Sequence, residues 1–159
     1  MELKTRRVHF AGCTTSPNET WMKQIARNLT DCGDGFLNGK CYLLMDRDGK
    51  FCPAFRDILK RTDVEPVRLP PKSPNLNSHL KRFMRSIKDE ALQRGIFFGE
   101  NSLRRATNAF LEHYHGERNH QGLDNKIIEP GDEVGQSGGG IECRERLGGL
   151  LQYYYREAA

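Results

Sequence analysis

Residues 66–88 carry six basic side chains, Arg68, Lys72, Lys81, Arg82, Arg85 and Lys88, and no acidic one. A local field of that sign attracts phosphate groups; the plainer reading of such a run is a solvated helix face. Asp46 closes the apolar run Cys41-Tyr42-Leu43-Leu44-Met45 and leads into Arg47-Asp48-Gly49, good turn chemistry in which a strand-end carboxylate caps the backbone. His113, His115 and His120 gather near one helix end, where imidazoles either bind a metal or cap the helix and face solvent; the second reading is preferred. Cys13, Cys32, Cys41, Cys52 and Cys143 are odd in number and include no C-x-x-C pair, which predicts reduced thiols in a cytoplasmic protein rather than a disulfide framework or a zinc knuckle.

The elements that must hold these groups follow from hydrophobic spacing. Residues 7–13, Arg-Val-His-Phe-Ala-Gly-Cys, alternate loosely and predict a strand. Ser16-Pro17-Asn18-Glu19 predicts a helix start with Ser16 as N-cap, and Trp21, Ile25 and Leu29 then repeat every fourth residue as one buried stripe. The run 41–45 is continuously apolar and predicts a strand buried on both faces. Pro53 opens a second helix with Phe55, Ile58 and Leu59 inside, and residues 65–69 predict a short strand. After the rigid segment 70–75, Leu80, Phe83, Met84, Ile87 and Ala91 share one helix face while Lys81, Arg85 and Lys88 share the other. Ser102 starts a further helix with Leu103, Ala106, Phe110, Leu111 and Tyr114 inside.

A chain of 159 residues, 36% hydrophobic and 29% charged, suits one domain of ordinary size. No run approaches the ~20 apolar residues of a membrane span, and Met1-Glu2-Leu3-Lys4 has no secretory character, so neither a membrane location nor secretion is expected. Charge is uneven: residues 61–126 hold 12 bases and 8 acids, residues 127–159 hold 3 and 6. Five glycines between 131 and 140 predict a flexible linker, followed from Ile141 to Leu151 and Tyr153-Tyr154-Tyr155 by a small tail helix or strand whose apolar side needs a partner.

Three segments together resemble the integrase core of DDE transposases, the insertion-sequence enzymes related to retroviral integrases: the strand-end Asp46 with Arg47-Asp48-Gly49-Lys50-Phe51, the Ser73-Pro74-Asn75-Leu76-Asn77 loop before an amphipathic helix, and Tyr114-His115-Gly116-Glu117-Arg118-Asn119-His120-Gln121-Gly122-Leu123. The resemblance implies an α/β, ribonuclease-H-like fold. Here it is expected to lack its first strands and to keep a small mixed sheet flanked by helices. The strand at 7–13 would then move over to pair with the strand at 41–45, giving three strands. The expected organisation is a truncated integrase-core domain at 1–128, a Gly-rich linker at 129–140 and a tail element at 141–159.

Such enzymes use three carboxylates to hold two divalent metals, Mg or Mn, which activate a water or a 3′-hydroxyl at a phosphodiester. Asp46 matches the second of those carboxylates and is the one family ligand retained. Thirty-five positions on, where the family carries glutamate, stands Lys81. An ammonium in that place adds about 1 to 4 kcal/mol of repulsion toward a cation at ~4 Å. The chain is therefore expected to be a catalytically inactive remnant that no longer holds its metals, with weak retention by Asp46 at most. Non-specific DNA binding is expected through Lys72, Lys81, Arg82, Arg85 and Lys88, together with self-association or association with an intact transposase. The alternative is a metal-dependent polynucleotidyl transferase active only with a missing N-terminal segment or a partner chain.

Overall fold

In the computed structural model, which describes residues 1–157, the chain divides into two units. One is Ala11–Ser78; the other joins Met1–Phe10 to the chain from residue 79 onward.

In the first unit, helix α1 (Glu19–Leu29) is capped by Asn18, whose side-chain oxygen accepts the Trp21 N–H at 2.9 Å. The cap lies two residues beyond the expected Ser16, because Asn is an equally strong N-cap and Pro17 can stay in the lead-in outside the helix. Met22, Ile25 and Ala26 of α1 are buried against Phe55 and Leu59 of α2 (Pro53–Lys60), with Leu37 and Val64 closing the core. Pro53 occupies the first turn of α2, where its missing N–H costs nothing.

Strands β1 (Tyr42–Met45) and β2 (Glu65–Arg68) pair in parallel, Tyr42 opposite Glu65 and Met45 opposite Arg68. Alternation decides their faces. Leu43 and Met45 turn inward, while Tyr42 and Leu44 stay exposed at 69% and 40%. The expectation of a strand buried on both faces is thus corrected: one layer of helices covers one face only. The expected third strand is corrected as well. Among the described residues 7–13 form no ladder, and Val8 and Phe10 pack instead against the core of the other unit. The parallel sheet has two strands.

The second unit is built on α3 (Ser78–Ile87), which continues through a π-turn at Lys88–Leu92, and on α4 (Gly99–Gly116). Phe83, Ile87 and Ala91 bury against Phe110, Leu111 and Tyr114, with Phe83 edge-on to Tyr114 at 4.9 Å between ring centres. Met84, expected on the packed face, is 42% exposed, because Phe83 and Ile87 already occupy the centre of the stripe. Strands β3 (Ile141–Arg146) and β4 (Leu151–Arg156) form an antiparallel hairpin around a four-residue loop in which Leu147, Gly148 and Gly149 all have positive φ. Leu151 supplies the anticipated apolar contact, entering the core beside Phe83 and Phe110.

The glycine-rich segment before the hairpin is held at several points. Glu129 N–H donates to the His115 carbonyl at 2.8 Å, and Glu133 pairs with Arg144 at 3.2 Å. Among the described residues no helix is long and apolar enough to cross a membrane.

Candidate nucleic-acid interface

Helix α3 follows directly from a 3₁₀ turn at Pro74–Asn77, so the chain enters it already wound. Its apolar residues point to α4, which leaves Lys81, Arg82, Arg85 and, in the π-turn, Lys88 exposed. None of these four makes an ion pair with an acid among the described residues. Uncompensated cations in a row on one helix are suited to counter a string of phosphates. Lys72 belongs to the other unit, exposed in the loop after Pro70-Pro71 with φ at 55°.

Asp46 sits exposed at the end of β1, where Oδ1 accepts the Asp48 N–H at 3.0 Å. Asp48 in turn accepts from the Lys50 N–H at 2.9 Å and from Lys50 Nζ at 2.7 Å; those hydrogen bonds hold its carboxyl below the ordinary range. Arg47 Nε donates to the Leu69 carbonyl at 3.0 Å and fastens the ends of β1 and β2 together. This is the turn-capping arrangement. The donor set does not fit a divalent cation: one Asp46 oxygen is committed to the turn, and the Asp48 carboxylate is held on both oxygens by Lys50, whose ammonium already neutralises it. Among the described residues no cluster of three or more His, Cys, Asp or Glu is placed to hold a metal.

The histidines serve the fold. The His120 ring donates from Nε2 to the Tyr114 carbonyl at 2.8 Å, satisfying an orphan acceptor in the last turn of α4. His115 Nε2 accepts the Val8 N–H at 3.0 Å, and His113 Nδ1 lies 2.9 Å from Glu117 Oε2. Burial pushes the pKa values of His115 and His120 down.

Beside α3, within the same unit, lies a cavity of about 380 Å³ lined by Arg6, His79, Arg82, Arg118, Asn119 and His120 among others. Phe83 and Tyr114 contribute aromatic wall. The cavity escapes sequence reading because its residues come from three distant stretches. The clue in the sequence was Arg118-Asn119-His120-Gln121, polar throughout and directly after a helix end.

Residues 62–127 match the integrase core domain family. The matched segment begins just before β2 and takes in α3, α4 and the polar loop that walls the cavity. Lys81 lies inside it, whereas Asp46 and the β3–β4 hairpin lie outside. The mixed helices and small sheets of the chain are consistent with such a core. Neither the curated proteins nor the solved structures yield a match to this chain.

Proposed function

We propose that this chain is a nucleic-acid-binding derivative of an integrase core that grips the phosphate backbone without sequence preference and does not itself carry out strand transfer. The carrying observation is the exposed, unpaired row of bases on α3 inside the integrase-core segment. Lys81, Arg85 and Lys88, spaced four and three residues apart, share a face and would track successive phosphates; Arg82 sits beside them at the cavity. Loss of chemistry follows from Lys81 at the glutamate position and from an Asp46 carboxylate engaged in its own turn.

A second reading rests on β1. Its only strand partner among the described residues is β2, and Tyr42 and Leu44 project from it into solvent. A parallel pair with one open edge and one uncovered apolar face is an invitation to pairing. In this reading a second copy, or an intact transposase subunit, adds to that edge, and a metal-dependent activity using Mg or Mn would belong to the assembly.

Fluorescence anisotropy against labelled duplexes of unrelated sequence tests the first reading. Dissociation constants in the range of about 10⁻⁴ to 10⁻⁶ M, equal for all sequences and rising steeply with salt, are expected. A strong preference for one sequence would contradict it.

A further inference from the structure

The cavity beside α3 carries three guanidinium groups, Arg6, Arg82 and Arg118, and among the described residues no carboxylate in its lining. Arg118 is met from outside by Glu90, to which it donates, and Arg6 donates to the neutral Leu3 carbonyl. One of the three guanidiniums meets a carboxylate, which leaves two without an acidic partner among the described residues facing a concave space.

The wall that follows Arg118 in the chain is preorganised. Residues 119–126 close on themselves through the Leu123 and Asn125 N–H groups, both donating to the His120 carbonyl at 2.8 and 3.0 Å, and through the His120 N–H donating to the Lys126 carbonyl at 3.1 Å. Asp124 and Asn125 take left-handed conformations to make the turn, a cost these residue types tolerate better than others. That wall presents the side chains of Asn119, Gln121 and Asn125, amides able to donate and to accept.

The volume falls at the lower end of the ~300–1,000 Å³ typical of small-ligand sites. A phosphate monoester carries roughly −1.5 to −2 charge at neutral pH and three acceptor oxygens, matching two uncompensated guanidiniums and their planar donor forks. A phosphodiester offers one charge and two free oxygens, a poorer match.

We propose that this cavity binds a phosphate monoester of mononucleotide size, with Arg82 and Arg118 donating to the phosphoryl oxygens and the amides of Asn119 and Gln121 meeting the rest of the ligand. Two sources share that chemistry: a free mononucleotide and the phosphorylated end of a nucleic-acid strand. The site shares Arg82 with the row of bases on α3, while Lys81, Arg85 and Lys88 lie outside its lining.

Isothermal titration of the full chain with deoxyadenosine 5′-monophosphate, deoxyadenosine and inorganic phosphate tests the proposal. The nucleotide should bind saturably and about tenfold or more tighter than either fragment, and Arg82→Ala should weaken it about tenfold or more. Arg105→Ala, which removes an exposed charge on α4 away from the lining, should leave binding unchanged. Displacement of the nucleotide by a 5′-phosphorylated oligonucleotide but not by its 5′-hydroxyl form assigns the site to strand ends; displacement by neither assigns it to the free nucleotide. Nucleotide and nucleoside binding alike, the absence of nucleotide binding, inorganic phosphate binding as tightly as the nucleotide, or equal losses in the two arginine variants would each overturn the assignment. Salt-dependent duplex binding that persists without nucleotide binding removes this site alone; the reverse result removes the α3 contact alone.

Discussion

Arg146 makes a two-pronged ion pair with Glu117: Nη2 donates to Oε1 at 2.8 Å and Nε donates to Oε2 at 3.1 Å, with the Glu117 side chain only 1% exposed. Arg144 adds a third donor at 3.2 Å while its guanidinium lies over the Tyr155 ring. The carboxylate therefore ties β3 to the end of α4. Removing one partner of a buried pair costs about 3–5 kcal/mol when the other charge is stranded; Arg146 keeps some solvent, which places Glu117→Ala near the lower figure. Urea unfolding should show a loss of about 3 kcal/mol, and Arg105→Ala should show almost none.

Acid should loosen the same unit in two stages. Burial favours the protonated form of Glu117, but hydrogen bonds from Arg146, His113 and Arg144 outweigh it and leave the pKa lowered. A lowered carboxyl pKa gives stability that is complete above the unfolded value of about 4.3 and is lost as pH falls through the folded one. His115, lowered mainly by burial, acts earlier: the unfolded chain takes up its proton at about pH 6.5, before the folded state does. Stability measured by denaturant should decline as pH falls through about 6.5, with His120 contributing in the same sense, and His115→Gln, which can still accept the Val8 N–H, should flatten part of that decline.

Much of the α3 and α4 core was legible because Phe83, Ile87, Ala91, Phe110, Leu111 and Tyr114 repeat at helical spacing and nothing competes with burying them. The run 41–45 was legible as a strand but not in its exposure, since continuous hydrophobicity does not say how many layers cover it. Residues 7–13 have strand composition, yet Val8 and Phe10 gain more by joining the Phe83 cluster than by pairing. Glu117 was quoted in sequence as part of a motif without its role, because Arg144 and Arg146 reach it from a hairpin about thirty residues on.

At the end of β1, Asp46→Asn keeps an oxygen that can accept the Asp48 N–H, so its stability should stay within about 0.5 kcal/mol of the parent. Nicking assays with magnesium or manganese should show no cleavage by either protein. Cleavage that vanishes in Asp46→Asn would restore a metal-binding role to this carboxylate.

The open edge of β1 gives a separate expectation. Sedimentation velocity should show association that grows with protein concentration, and Leu44→Lys, a charge placed on the uncovered face, should shift the chain toward monomer with little effect on stability. A parent chain that stays monomeric at high concentration would count against pairing there.

The row of bases on α3 is tested most directly by the salt dependence of duplex binding, measured for the parent and for the triple variant Lys81→Ala, Arg85→Ala, Lys88→Ala. Each phosphate contact contributes about 0.9 to the slope of log affinity against log salt. The expected result is a slope shallower by about 3 × 0.9 ≈ 2.7 in the variant, with affinity reduced alike for every sequence. An unchanged slope would contradict the assignment of α3 as the face that meets nucleic acid.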